Sequence, residues 1–131
     1  MGTGYYDKIS SCTLVSQRIQ FIMIDTPYRL EYYLEDDGSE PFTEWLTNLR
    51  DRNAHARISA RLNRVKLGNF GIVKALGDGV NELKIDYGPG YRLYYAMNGK
   101  TVVLLLIGGD KSTQKQDVKI AKAYWKRQQR G

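Results

Sequence analysis

The chain has little of what metal, redox and nucleophile chemistry is built from: among 131 residues there is one cysteine, Cys12, and one histidine, His55. A single cysteine excludes an intrachain disulfide and any cysteine-based zinc site, and it suits a reducing cytoplasm. No His or Cys cluster, no Gly-x-Ser-x-Gly nucleophile turn and no GxxxxGK(S/T) phosphate loop occurs, so neither a metal nor a cofactor is expected. The longest apolar run, Thr101 to Ile107 with its flanks, falls short of the roughly 18–20 residues a membrane helix needs. No basic segment followed by an apolar stretch and a small-residue cleavage site opens the chain, so no secretory signal is read. Hydrophobic residues at 42% and charged residues at 26% exclude a disordered or fibrous chain, and the length fits one domain.

What is present is polarised charge. From Asp25 to Asp51 eight acidic residues face only Arg29 and Arg50, whereas from Arg52 onward sixteen basic residues face five acidic ones. The stretch from Lys111 to Gly131 sets seven basic residues against Asp117 alone and so carries a charge equal to the +6 of the whole chain. Such a tail suits a polyanion or an acidic protein.

Residues 1–22 show no sustained period, and Met23 opens the regular part. They are expected to be an N-terminal extension outside a domain spanning residues 23–131. Tyr28 to Leu34 reads as a strand ending in Asp36-Asp37-Gly38. Ser39, Glu40 and Pro41 form a helix entry, and Phe42, Trp45, Leu46 and Leu49 make one apolar stripe. Asp51 or Asn53 can cap a second helix with Ala54, Ile58, Leu62 and Val65 on one face, ending at Gly68. Arg57, Arg61 and Arg64 lie opposite and read as a solvent face that an acidic partner or nucleic acid could touch. Val80–Tyr87, Tyr91–Met97 and Lys100–Ile107 read as three strands, joined by Gly88-Pro89-Gly90 and by an Asn98-Gly99 type I′ turn. Gly108-Gly109 breaks the sheet. Ser112 opens a last helix with Val118, Ala121, Tyr124 and Trp125 as its apolar face. The reading is an α+β domain of order β-α-α-β-β-β-α, with an antiparallel sheet and helices mainly on one face.

With a three-residue loop, Tyr87 faces Tyr91, which sets Lys84 opposite Tyr94 and Asp86 opposite Arg92 on one face, with Leu83, Ile85, Leu93 and Tyr95 on the other. Val103 and Leu105 are expected beside Tyr94 and Arg92 as an exposed apolar strip. Lys84, Arg92 and Lys111 then gather at one rim. That grouping suits phosphate, because metal-free cleavage of RNA needs the charge on the reacting phosphate stabilised, and arginine stays charged and binds bidentately. Lys84, Tyr94 and Asp117 are the candidates for proton transfer, and residue type does not rank them. Asp86 could equally be a plain ion-pair partner for Arg92, and Tyr94 a filler of the pleat.

The run from Val80 to Tyr95 (Val-Asn-Glu-Leu-Lys-Ile-Asp-Tyr-Gly-Pro-Gly-Tyr-Arg-Leu-Tyr-Tyr), followed by Gly108-Gly109-Asp110-Lys111-Ser112-Thr113-Gln114, resembles the C-terminal half of RelE/ParE superfamily toxins. It is most similar to the HigB-like branch of addiction-module killer proteins. The likeness extends in element order from about Met23 to Arg127. It implies a cytoplasmic toxin of a type II toxin–antitoxin system that inhibits translation by cleaving mRNA on the ribosome. Its partners would be the ribosome, mRNA and a cognate antitoxin, often a helix-turn-helix protein. Arg92 matches the family's phosphate-contacting arginine, Lys84 a strand lysine of the active-site set, and Lys111 the basic residue after the last strand. Glu82 stands where a second basic residue occurs in the best-studied branch, and Asp117 about where some members place a catalytic tyrosine. Lys115, Lys119, Lys122 and Lys126 are expected to bind ribosomal RNA. Gyrase-poisoning members share the fold, so noncatalytic inhibition of gyrase is the alternative. A basic binding module without toxicity is a third reading.

Overall fold

A computed structural model describes residues 26–131 and, further upstream, the backbone of Thr3–Gly4 (β1) and Tyr6–Asp7 (β2), which pair antiparallel. The expected N-terminal extension, residues 1–22, otherwise lies outside the described residues. From there the chain runs through β3 (Arg29–Tyr32), α1 (Pro41–Thr47), α2 (Arg52–Lys66), β4 (Val73–Gly77), β5 (Val80–Ile85), β6 (Tyr91–Met97), β7 (Val102–Asp110), a 3-10 turn (Lys111–Thr113) and α3 (Gln114–Arg130).

The five longer strands form one sheet in the order β3-β7-β6-β5-β4. The α+β architecture is as expected, with three corrections of detail. First, the sheet is mixed, because β3 lies parallel to β7 while the other three pairings are antiparallel. Second, β4 is a strand that periodicity does not announce: its residues are almost all exposed, so no apolar alternation marks it. Third, helices cover both faces of the sheet. Ala54, Ile58, Leu62 and Val65 of α2, with Phe42 of α1, pack on Leu83, Leu93, Tyr95, Val103 and Leu105. On the other face Ala121 of α3, flanked by Val118, Tyr124 and Trp125, packs on Val80, Tyr94, Ala96, Leu104 and Leu106. Both apolar helix stripes are the ones read from sequence.

Val103 and Leu105 therefore do not form an exposed strip beside Tyr94 and Arg92. Both are fully buried beneath the first two helices. The cause is the β6–β7 connection. A two-residue Asn98-Gly99 turn would set Met97 opposite Lys100, but Met97 pairs with Val103, and this three-residue shift turns Val103, Leu104 and Leu105 to the other face; a bulge between Tyr94 and Tyr95 then restores the expected faces from Ile107 onward. Asn98 does not adopt positive φ. The left-handed pair is instead Asp78-Gly79, with φ of 56° and 84°, which closes the β4–β5 hairpin.

Gly108 and Gly109 continue β7 rather than ending it. They are glycines for reasons of space. A Cβ on Gly108 would overlap the Trp45 ring, and one on Gly109 would overlap the Asp117 carboxylate. Helix α2 starts as expected, with the Asp51 carboxylate accepting from Asn53 N at 2.9 Å and Ala54 N at 3.2 Å. Helix α1 differs: Glu40 occupies its N-cap and no side chain caps it.

Candidate phosphate-binding site

The β5–β6 register sets Lys84 opposite Arg92, Glu82 opposite Tyr94 and Ile85 opposite Tyr91. The expected register is thus off by two residues, a shift that leaves every side chain on its expected face. The loop responsible runs from Asp86 to Gly90, two residues longer than the three-residue turn.

Across β6 from Lys84, the partner of Arg92 is Gly109. Lys84 and Arg92 of this row line a shallow hollow of about 320 Å³, together with Asp86, Tyr87, Gly88, Pro89, Gly90 and Lys111. The structure therefore brings Lys84, Arg92 and Lys111 together. Arg92 is 6% exposed, and its Nη1 donates to the Gly90 carbonyl at 2.8 Å while Nε is buried without a partner. That bond fixes the guanidinium against the loop. Lys84 reaches outward, its side chain half exposed, with Nζ 3.2 Å from the Asp86 carboxylate. Lys111 is exposed at the start of the 3-10 turn. Asp110 holds that turn by accepting from Ser112 N at 2.8 Å and Ser112 Oγ at 2.6 Å.

Beneath the hollow lies a buried polar layer. Glu82 accepts from Gln114 Nε2 at 3.1 Å and so ties the start of α3 to β5. The Tyr94 hydroxyl is fully buried and makes no hydrogen bond, although Glu82 is near enough to act on its ionisation. Burial chiefly, then the negative charge of Glu82 and Asp117, push its pKa far up, and Arg92 only partly opposes this. Asp117 is buried too and accepts from Thr113 Oγ1 at 2.5 Å. Burial raises its pKa, the Thr113 hydroxyl opposes the rise, and Asp110 adds to it. Neither Tyr94 nor Asp117 lines the hollow.

Lys115, Lys119 and Lys126 are exposed along α3, and Lys122 sits 3.4 Å from Asp78. Lys122 and Lys126 line a separate hollow with Trp125. They stand apart from the Lys84–Arg92–Lys111 group. His55 is half-buried near the start of α2 and does not line the hollow. Among the described residues no three His, Cys, Asp or Glu side chains gather to hold a metal ion, and no helix is long and apolar enough to cross a membrane.

Sequence reasoning missed the place of Asp86. It pairs with Lys84 and not with Arg92, and it is the one carboxylate in the wall of the hollow. The signal was available: residues two apart in a strand share a face.

These features define a small α+β domain that gathers basic side chains at one end of an open sheet. The chain belongs to the family described as "Phage derived protein Gp49-like (DUF891)", whose profile matches residues 44–126. This is a toxin–antitoxin-associated family related to RelE-like toxins. The chain is also 49% identical over 81 residues to an uncharacterized protein of Haemophilus influenzae, a match spanning 62% of this chain and 82% of that protein.

Proposed function

We propose that this protein is the toxin of a type II toxin–antitoxin pair, of HigB-like activity, acting in the cytoplasm as a ribosome-dependent, metal-independent mRNA endonuclease. The observation that carries the reading is the convergence of Lys84, Arg92 and Lys111 on one hollow whose wall holds a single carboxylate. Two of these cations stand directly opposite one another. Like charges so placed are unfavourable unless an anion lies between them, and a phosphodiester is an anion of suitable charge and shape.

In this reading Arg92 supplies a fixed, permanently charged clamp for the equatorial phosphate oxygens, where charge grows in the transition state. Lys84 turns from Asp86 to the phosphate, which frees the carboxylate to accept the proton of the attacking 2′-hydroxyl. The 2′-oxygen–phosphorus bond forms, the bond to the 5′-oxygen breaks, and Lys111 protonates that leaving oxygen. The products are a 2′,3′-cyclic phosphate and a 5′-hydroxyl. The lysines of α3 add affinity for ribosomal RNA, and the partner that silences the protein is an antitoxin of helix-turn-helix type.

A second reading, noncatalytic inhibition of DNA gyrase, draws support from the burial of Tyr94 and Asp117, which removes two candidate proton-transfer groups from the surface. Mapping of mRNA 5′ ends after brief induction separates the two. New 5′-hydroxyl ends within translated codons are expected, and they should vanish in Arg92→Ala and Lys111→Ala variants that remain folded. A DNA-damage response without new mRNA ends would favour gyrase, and persistent toxicity in a folded double variant would overturn the hollow as the site of mRNA cleavage.

A further inference from the structure

Three hollows join at the end of the sheet where β4 leaves β5. The phosphate hollow shares Lys84 and Asp86 with a neighbour of about 490 Å³ walled by Arg61, Arg64 and Ile72. That one in turn shares Arg61, Arg64 and Asp86 with a third, of about 270 Å³, which Arg57 closes. The resulting trough presents six cations, Lys111, Arg92, Lys84, Arg61, Arg64 and Arg57, with Asp86 as its one carboxylate.

Its middle is built around Arg61. The pairing of β4 with β5 begins at Val73 opposite Leu83, so the Lys84 carbonyl lies beyond the reach of that strand. Arg61 takes the strand's place: Nη1 donates to Lys84 O and Nη2 to Phe70 O, each at 3.1 Å. Gly71, at φ 71°, leaves room for the guanidinium, since a Cβ there would come within 2.7 Å of Nη2. Burial and the neighbouring Arg64 both disfavour the charge on Arg61, and Asp86 relieves this only in part. The trough thus holds excess positive potential beside a fixed arginine. Arg64 and Arg57 are exposed and, among the described residues, neither has a carboxylate within ion-pair distance. The Arg57 guanidinium lies 4.4 Å from the centroid of the Tyr87 ring, and Tyr87 also walls the phosphate hollow. A guanidinium plane seated on an aromatic ring is a platform on which an unstacked base can lie.

We propose that a single-stranded RNA held at the phosphate hollow continues over the ridge formed by Arg61, Arg64 and Arg57, with Arg64 and Arg57 on successive phosphates and a base stacked on the Arg57–Tyr87 pair. Arg61 is the framework residue that holds the ridge against the sheet. The proposal rests on reading the hollow as the RNA site. It turns the arginine stripe of α2 from a solvent face into the continuation of that site, on the side of the sheet away from the lysines of α3.

The test is fluorescence anisotropy with uncleavable 2′-O-methyl RNA of three and of ten nucleotides, over a salt series. The proteins are the unaltered chain, Arg57→Gln/Arg64→Gln and Lys111→Gln, each checked for folding by thermal denaturation. The ridge variant should bind the decamer about tenfold more weakly, with a salt slope shallower by about 1.4 for two lost phosphate contacts, and bind the trimer unchanged. Arg57→Lys/Arg64→Lys should restore the slope. Lys111→Gln should weaken both oligonucleotides. A ridge variant with unaltered decamer affinity and slope, alongside a weakened Lys111→Gln, would overturn the ridge and leave the hollow standing. Unaltered binding by Lys111→Gln, or no affinity of the unaltered protein for RNA at low salt, would overturn the hollow and the ridge with it.

Discussion

Lys84 and Arg92 stand directly opposite each other across β5 and β6, two cations in a position where opposed charges would normally be chosen. Asp86 offsets the pair only from the exposed side, 3.2 Å from Lys84, and an exposed ion pair contributes little. Placed so, the two like charges oppose each other across the strands at a cost in stability.

Replacing Lys84 should therefore separate stability from function. Lys84→Gln is expected to leave the melting temperature unchanged or raised, with a gain of up to about 0.5 kcal/mol from relief of like-charge opposition. Growth arrest on induction should fall at least tenfold. Thermal denaturation and colony counts after induction measure the two effects, and a destabilised variant of undiminished toxicity would contradict both.

Tyr94 should prove dispensable for activity. Its hydroxyl is buried without a hydrogen bond, so Tyr94→Phe removes an unsatisfied group and is expected to stabilise the fold by about 1 kcal/mol. Chemical denaturation of the two proteins gives the stability difference. Full toxicity of the variant is expected, and its loss would show that the hydroxyl reaches the reacting groups.

Asp117 should shape the acid limb of the stability profile. Its folded pKa is raised above the ordinary 3.8, chiefly by burial, so the native state binds its proton more tightly than the unfolded chain. The stability tied to that proton is fully present below pH 3.8 and is lost as pH rises through the elevated value. Asp117→Asn keeps an acceptor for the Thr113 hydroxyl and has no proton to lose. Its stability should fall less than that of the unaltered protein as pH rises from about 4 toward neutrality, measured as melting temperature against pH.

Gly108→Ala should be more damaging than its size suggests. The added methyl meets the six-membered ring of Trp45, which is packed against Phe42 and Tyr91 at centroid distances of 5.6 and 6.2 Å and has little room to move. A loss of about 1–3 kcal/mol is expected, as for overpacking in a filled core. Denaturant midpoints of the variant and the unaltered protein test this directly.

The helices were legible in the sequence because each buries one stripe, and Ala54-Ile58-Leu62-Val65 and Val118-Ala121-Tyr124-Trp125 could hardly be arranged otherwise. The shared face of Lys84 and Arg92 was legible for a more forgiving reason: strand parity survives an error of two residues in loop length. The faces of β7 were not legible. A strand apolar on both sides carries no alternation, so its register rested on the Asn98-Gly99 turn alone, and that turn is longer than its dipeptide suggests. Strand β4 was hidden because it is an exposed edge, and its Asp78-Gly79 turn was the better hairpin signal of the two. The burial of Tyr94 and Asp117 could not be foreseen without knowing that α3 folds back over their face. The glycine at 109, which admits the Asp117 carboxylate to the sheet, is legible only in retrospect.

The parallel join between β3 and β7 has one more consequence. It links residues 29–32 to residues 102–105, so the edge of the sheet cannot close until most of the polypeptide has been synthesised. Pairings of such long range are slow to form. A half-made chain holds neither Lys111 nor the strand that carries it to Arg92. The basic cluster at the end of the sheet can therefore assemble only after nearly the whole chain has been made.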